Sequence, residues 1–223
     1  MTIAETQALS GFHEFIRIAG EIAGIFLVGL VVGLVGAFRR QRAGNKWTPA
    51  REKKFVEKHS NIHELLTELR VTVRASRAVV FQFHNGGNFV DGGSIKRFSV
   101  THESCEMGIS ALLLDSQDVL LTKYTDMISL METKPSKILS VSSLSHSAFR
   151  SALEINNVEF FTIAPLKCDD GITPLGFLCC HWCSSDSLDE IEREGISKAS
   201  VEELVAQTTH NINSYLTYST GIK

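Results

Sequence analysis

Polar side chains recur on two strand-like segments near the middle of the chain. Residues 79–84 have the valine and phenylalanine content of a β-strand, and residues 97–103 alternate polar and apolar side chains. Because alternate residues of a strand share one face, we expect these polar side chains to meet on one sheet face, around a small polar ligand. The predicted ligand-binding residues are Gln82, His84, Asn85, Ser99, Thr101 and Glu103.

The same residues also have a purely structural interpretation. Asn85, Gly86 and Gly87 are typical turn residues, so His84 and Asn85 also suit the end of a strand that binds nothing. A buried polar group without a partner costs about 1 to 3 kcal/mol, so a buried polar row requires hydrogen bonds. The sequence leaves open whether these hydrogen bonds come from the polar residues themselves, from ordered water or from a ligand.

The string Cys180-His181-Trp182-Cys183 has the residue types of a zinc or redox site. In a β-strand, however, Cys180 and Cys183 point to opposite faces, so they cannot share a metal. Buried free cysteines behave as small apolar residues. We therefore predict no metal site and assign these cysteines to the core.

Motifs for hydrolysis or group transfer are missing from the sequence. It has no nucleophile elbow, phosphate loop or paired metal-ligand motif, so the chain is predicted not to be an enzyme, and its cofactor is unknown. A redox enzyme that uses Cys105 or Cys168 is a further alternative. The five cysteines are unevenly spaced, which suits a reducing compartment and not a disulfide framework.

Hydrophobic periodicity and turn residues predict the elements that position these side chains. Thr48 as N-cap, Pro49 and Glu52 indicate the start of a helix that has a possible break near Ser60 and Asn61. Cys168-Asp169-Asp170-Gly171 is typical of a hairpin turn. The predicted elements are a helix at 49–75, strands at 77–84 and 97–103, a helical segment at 109–131, a strand at 138–141, a helix at 145–156, a hairpin of strands 159–167 and 175–183, and a helix at 187–215.

This order of elements resembles that of the GAF sensory domain. The detailed resemblance lies in residues 155–178, where a helix end leads to a strand ending in Pro165-Leu166, an acidic turn ending in Gly171, and a returning strand that opens with glycine and aliphatic residues. Glu106-Met107-Gly108-Ile109 also resembles the helix entry that follows the family's second strand. The resemblance implies an α/β (α+β) fold, a GAF-like antiparallel sheet flanked by N- and C-terminal helices, over residues 49–218.

The resemblance does not select a ligand. GAF domains bind cyclic nucleotides, tetrapyrroles, small metabolites or nothing, so function must be argued from the site. The sequence lacks the Asn-Lys-Phe-Asp-Glu string of the cyclic-nucleotide phosphodiesterase type and a bilin-attachment cysteine context.

A membrane-spanning helix is predicted before this domain. Residues 22–38 are seventeen consecutive uncharged residues, and together with residues 19–21 they approach the ~30 Å hydrocarbon core of a bilayer. The domains are thus a short N-terminal segment at 1–18, a transmembrane helix at 19–38, a basic juxtamembrane linker at 39–48 and the GAF-like domain at 49–218. Gly20/Gly24 and Gly29/Gly33 have the spacing of self-associating membrane helices, although glycine is common in such helices anyway.

The charges around this segment predict its orientation and its partners. Seven Lys or Arg residues follow it within residues 39–54, whereas residues 1–21 hold only Arg17. By the positive-inside rule the C-terminal domain stays in the cytoplasm and the helix lies in the inner membrane. The basic cluster suits anionic lipid headgroups, and the net charge of −3 gives no indication of nucleic-acid binding.

Together these features predict a membrane-anchored cytoplasmic sensory or regulatory domain that binds a small molecule or a protein partner and works as a homo-dimer or higher oligomer. The alternative is a structural or scaffolding membrane protein without a ligand, from a phage or bacterial envelope assembly. The polar row favours sensing, and the short chain favours the scaffold.

Overall fold

The computed structural model describes residues 29–36, 49–88, 94–168 and 170–217. It divides into two units, residues 1–53 and 54–223. The predicted segments 1–18 and 39–48, and most of the predicted transmembrane helix, lie outside the described residues. The described part of that helix, residues 29–36, is helical and is called α1. Among the helices that the structure describes, none has both the length and the apolar character needed to cross a membrane.

Helix α2 runs unbroken from Pro49 to Thr72, so the predicted break near Ser60 is wrong. Proline suits its first position, because the first N–H groups of a helix have no partner within it. The helix ends where Arg74 takes a positive φ of 46° and the Ala75 N–H bonds back to the Arg70 carbonyl, as in a Schellman cap. Its buried stripe is Ile62, Leu66, Leu69 and Val73.

The described strands form one antiparallel sheet in the order β3-β2-β1-β6-β5-β4. The four long strands have cores of valine, phenylalanine and cysteine, which pack well on a pleated surface. The strands are β1 at Arg77–Asn88, β2 at Ser94–Cys105, β3 at Val119–Leu120, β4 at Leu139–Ser140, β5 at Phe160–Lys167 and β6 at Pro174–Trp182. The other helices are α3 at Thr125–Thr133, α4 at Ala148–Ile155, α5 at Ser185–Arg193 and α6 at Lys198–Thr217.

The two faces of the sheet pack against different elements. On one face, Val80, Leu178 and Cys180 pack with α2, α5 and α6, which we call the helix layer. On the other face, Val79, Phe81 and Cys179 pack with α3, α4 and the connection between β2 and β3, which we call the cavity layer. Because both faces are buried there, the strands are apolar at every position over Ala78–Phe81 of β1 and Phe177–Cys180 of β6.

The hairpin of β5 and β6 is confirmed. The Asp170 carboxylate accepts hydrogen bonds from the N–H groups of Ile172 and Thr173, an Asx-type turn that fixes the connection. The alternation along β6 is also confirmed, because Cys180 belongs to the helix layer, whereas Cys179 and Cys183 pack in the cavity layer.

Three other predicted elements are corrected by the structure. The first strand continues through Asn85, Gly86 and Gly87 to Asn88, because Asn85 and Asn88 pair with Lys96 and Ser94 of β2. Most of the predicted helix at 109–131 is a loop, and only Thr125–Thr133 is α-helical. The predicted C-terminal helix is two helices, α5 and α6, separated at Gly195, which has a φ of 84°.

Candidate functional site

A cavity of about 70 Å³ lies in the cavity layer, between the sheet and helices α3 and α4. Its floor comes from β1, β2 and β6, and its roof from α3, α4 and the connection before β3. The residues that line it are Phe81, Phe98, Leu112, Ser116, Val119, Tyr124, Met127, Phe149, Ala152, Leu153, Asn156, Phe177, Cys179 and His181. We call this space the aromatic cavity.

Aromatic rings form the walls of this cavity. Phe81 stacks on Phe177 with their ring centroids 4.5 Å apart, and Phe98 meets Phe177 edge to face at 5.4 Å. Tyr124 and Phe149 close the opposite side, edge to face at 6.3 Å. Offset and edge-to-face pairs of this kind stabilise by about 0.5–1.5 kcal/mol beyond area burial, so these contacts hold the walls together.

The roof is fixed by a helix cap. Ser147 is the N-cap of α4, and its hydroxyl accepts a hydrogen bond from the Arg150 N–H. The same hydroxyl donates to the carboxylate of Asp126 in the first turn of α3. This contact joins α3 to α4, and it therefore holds Tyr124 and Phe149 over the sheet.

Cys179, His181 and Asn156 are the polar residues at one end of the aromatic cavity, and Ser116 and Tyr124 add polar groups to the rest of its lining. Burial raises the pKa of the Cys179 thiol well above its usual range, so the sulfur stays protonated. Burial, assisted by the nearby Arg77 guanidinium, lowers the pKa of His181 to about 3, so its imidazole is neutral at neutral pH. The His181 Nδ1 lies 3.4 Å from Arg77 Nη1 and accepts from it, which leaves the proton on Nε2.

Arg77 and Glu103 form a buried ion pair beside this end of the cavity. Their side chains are 1% and 5% exposed, and Arg77 Nε lies 3.4 Å from Glu103 Oε1. The Glu103 carboxylate also accepts hydrogen bonds from the N–H groups of Leu112 and Leu113 at 2.8–3.0 Å. Glu103 thereby ties the connection before β3 to the sheet.

The six predicted ligand-binding residues do not form one row. The pairing shifts between Val80 and Phe81: Val80 pairs with His102 but Phe81 pairs with Val100, so Thr101 is the extra residue of a β-bulge in β2. Past the bulge, Gln82 pairs with Ser99, and both lie on the face away from the aromatic cavity. Glu103 pairs with Val79 and lies in the cavity layer instead.

The structure brings only part of the predicted set together. His84 Nε2 lies 2.9 Å from Ser99 Oγ, and Ser99 Oγ accepts from the Asp118 N–H. The Asp118 carboxylate accepts from Arg97 at 2.6 Å, which holds Asp118 at its positive φ of 56°. Asn85 accepts a hydrogen bond from Lys96 at 2.8 Å. These exposed contacts fix the β1–β2 pair at the surface and line no part of the aromatic cavity.

The residues that line the cavity roof were missed by the sequence analysis. Tyr124 and Phe149 lie on different elements that pack together only in the tertiary structure. Only Phe149 has a sequence signal, the string Ser147-Ala148-Phe149, in which an N-cap serine places an aromatic side chain in the first turn of an amphipathic helix.

Solved structures show what this architecture is similar to. The blue-light-absorbing form of the PixJ GAF domain from Thermosynechococcus elongatus matches with a TM-score of 0.46 and 13% identity, over 76% of this chain and 92% of that chain. A phycoerythrobilin-bound GAF domain from a cyanobacterial phytochrome matches with a TM-score of 0.45 and 18% identity, over 73% and 92%. The green-light-absorbing state of NpR6012g4, a red/green cyanobacteriochrome, matches with a TM-score of 0.52 and 16% identity, over 74% and 97%. The fold is GAF-like.

The predicted GAF-like sheet between N- and C-terminal helices is therefore confirmed. No protein-family model matches the sequence, and no curated protein matches it at a significant level. At identities below 20% the likeness establishes the fold of the GAF-like domain, and its function rests on the site.

Proposed function

We propose that the GAF-like domain binds a small, mainly apolar molecule in the aromatic cavity and acts as a sensory or regulatory domain. The observation that carries this proposal is a cavity whose walls are five aromatic rings and whose lining also includes a few polar groups, among them Cys179 and His181. Pockets of this composition, mostly apolar with a few convergent polar groups, are typical of small-molecule sites.

The size of the cavity limits the ligand class. Its volume of about 70 Å³ holds roughly five waters, since one water needs about 10–15 Å³ on this scale. Drug-sized ligands occupy pockets of about 300–1,000 Å³. A bilin, such as the one in the similar phytochrome domain, is therefore disfavoured, and a small planar molecule is favoured.

A regulatory role is favoured over catalysis by the protonation states at the polar end. Cys179 is a buried thiol whose raised pKa opposes thiolate formation. His181 has a pKa lowered to about 3, so it is too weak a base to activate a nucleophile near neutral pH.

The proposal includes an anchor in the inner membrane. The apolar residues 22–38, followed by a basic cluster, support a single crossing with the GAF-like domain in the cytoplasm. In α1, the described part of this segment, the valine and leucine side chains are 47–65% exposed. The glycine pairs Gly20/Gly24 and Gly29/Gly33 support a homo-dimer or higher oligomer. Ligand binding would act by shifting α2 relative to the sheet.

Thermal unfolding of the full-length chain with benzene and indole tests the ligand site. Saturating ligand at 100 times its Kd stabilises by ~2.7 kcal/mol, which raises the Tm of a domain of this size by about 5–10 °C. Ala152→Leu fills the aromatic cavity and should abolish the shift. Ser151→Leu adds the same side chain at the neighbouring exposed position of α4 and should retain it.

A ligand-free scaffold is the second candidate, and the small cavity volume favours it. If the cavity is only a packing defect, Ala152→Leu raises the Tm of the free protein, and neither probe shifts the Tm of the wild type. That result would reject the sensory proposal in favour of the scaffold.

A further inference from the structure

A second cavity of about 120 Å³ lies in the cavity layer, at the end of the sheet where β1 begins. It sits between the residues that follow β2 and the C-terminal end of α4, and Asn156 also lines the aromatic cavity. The lining residues are Arg77, Gly108, Ile109, Ser110, Ile155, Asn156, Asn157 and Cys183. We call it the Arg77 cavity.

Arg77 is the charged group of this cavity, and the protein satisfies it incompletely. Its Nη2 donates to the Ser110 carbonyl, and its Nη1 contacts His181 Nδ1 at the long distance of 3.4 Å. Its Nε has no hydrogen-bond partner, because the nearby Glu103 oxygen at 3.4 Å is not aligned with the N–H. A side chain that is 1% exposed and carries five N–H donors would normally be fully hydrogen-bonded.

The charges around Arg77 favour a neutral molecule as its missing partner. Glu103 already supplies one buried negative charge beside the guanidinium, and His181 is neutral. An additional carboxylate would leave one buried charge uncompensated, which is costly at low dielectric. A carbonyl oxygen accepts from Arg77 without adding charge.

Asn156 supplies the complementary acceptor. Its Nδ2 donates to the Ala152 carbonyl at 2.8 Å, which orients the side chain and leaves Oδ1 to accept. The Asn156 backbone carbonyl faces the Cys183 Sγ at 3.8 Å. A ligand that fits both Arg77 and Asn156 therefore presents a carbonyl and an N–H on one edge.

We propose that the Arg77 cavity binds a small neutral molecule with an amide edge, such as a lactam, whose carbonyl accepts from Arg77 and whose N–H donates to Asn156. The rim provides access and apolar contact, since Gly108 and Asn157 are exposed and the Ile155 side chain is 80% exposed. Both rim loops contain a residue at positive φ, Gly108 at 89° and Asn157 at 54°. This site adjoins the aromatic cavity and shares only Asn156 with it among the lining residues.

Titration of the ¹⁵N-labelled full-length chain, followed by NMR, tests the proposal. The probe is 2-pyrrolidone, and the signals are the Arg77 Nε–H and the backbone amides of Gly108 and Asn157. Cyclopentanone has the carbonyl without the N–H, and butyrate has a carboxylate instead. Loss of one buried hydrogen bond weakens binding about tenfold. We therefore expect saturable chemical-shift changes with 2-pyrrolidone and at least tenfold weaker binding of both analogues.

Variants separate this site from the aromatic cavity. Asn156→Ala keeps the Arg77–Glu103 pair and should weaken the binding of 2-pyrrolidone about tenfold. Arg77→Met combined with Glu103→Gln should abolish 2-pyrrolidone binding without leaving a buried charge. Ala152→Leu blocks only the aromatic cavity and should leave the affinity unchanged. Absence of saturable shifts in the wild type, equal or tighter binding of butyrate, or full affinity in Asn156→Ala would overturn the proposal.

Discussion

Arg77 and His181 are direct neighbours across the β1/β6 pair, and burial, assisted by this contact, keeps the histidine neutral. A protonated His181 would place a second positive charge beside a guanidinium in a water-excluded site. His102 on β2 is similarly buried, and its Nε2 lies 2.6 Å from Nδ1 of His59 on α2. Burial, then the charges of His59, Lys58 and His63, lower the pKa of His102 to about 4.

These two histidines make stability depend on pH. Their folded-state pKa values of about 3 and about 4 lie below the ordinary value of 6.5, so the unfolded chain binds protons that the folded chain does not. The free energy of unfolding is therefore highest, as far as these histidines determine it, above pH 6.5. It falls as the pH decreases toward 4 for His102 and toward 3 for His181. Within that window each histidine contributes a slope of up to ~1.4 kcal/mol per pH unit.

Urea unfolding of the full-length chain between pH 4.5 and 7.5 measures this effect. His181→Gln and His102→Gln should each flatten the dependence, because glutamine does not titrate. His146→Gln changes a histidine whose position is exposed and is the matched control, which should leave the slope unchanged. Identical slopes in all four proteins would show that burial does not depress these pKa values.

At the scale of elements, the bulge in β2 decides which of its side chains face the cavity layer. The bulge changes the register between β1 and β2 at Val80/Phe81, and at the same level β6 approaches β1 closely. A Cβ on Gly176 would lie 1.9 Å from the Phe81 carbonyl oxygen, so only glycine fits without displacing β1. Phe81 and Phe177 stack beside this point of approach.

We therefore expect Gly176→Ala to destabilise the domain by about 3 kcal/mol, since the clash is with backbone and cannot be relieved by a side-chain rotation. Gly171→Ala is the matched control. Gly171 has a φ of 66° and no atom within 4 Å of the added Cβ, so it should cost only about 1–2 kcal/mol of backbone strain. Both costs are measured by urea unfolding, and an equal cost would rule out the close approach of β6 to β1.

At the scale of the whole molecule, the GAF-like domain buries both faces of its sheet in different ways. The helix layer is packed mainly by aliphatic side chains around Trp182, whereas the cavity layer contains the clustered phenylalanine rings, both cavities and the Arg77–Glu103 pair. If the domain is regulatory as proposed, its ligand contacts lie on one face of the sheet and its terminal helices on the other. The proposed signal would pass through the central strands β1 and β6, which contribute to both layers.

The proposed orientation of the chain is testable with fusions after Lys223. A green fluorescent protein fusion should be fluorescent and an alkaline phosphatase fusion inactive, because the basic cluster retains the C-terminal side in the cytoplasm. Neutralising Arg39, Arg40 and Arg42 should produce a mixed orientation, whereas neutralising Lys123, Lys167 and Lys198 in the domain should not. Phosphatase activity in the unmodified fusion would reverse the proposed topology.

Local chemistry explains which elements could be predicted from the sequence alone. Period-two alternation and an Asx-type turn define the β5/β6 hairpin, and the same alternation places Cys180 and Cys183 on opposite faces. Pro49 and Glu52 define the start of α2. Each of these signals acts between residues close in the chain, so no tertiary contact overrides it.

Only the tertiary structure determined the arrangement of the candidate site. A one-residue bulge moved Glu103 to the face opposite Gln82 and Ser99, because a shift of one residue inverts every following side chain. Glu103 then binds the backbone N–H groups of Leu112 and Leu113, and this stretch is a loop although its apolar spacing is helical. The cavities join residues more than 70 positions apart, such as Phe81 and Phe177, and no local pattern encodes that proximity.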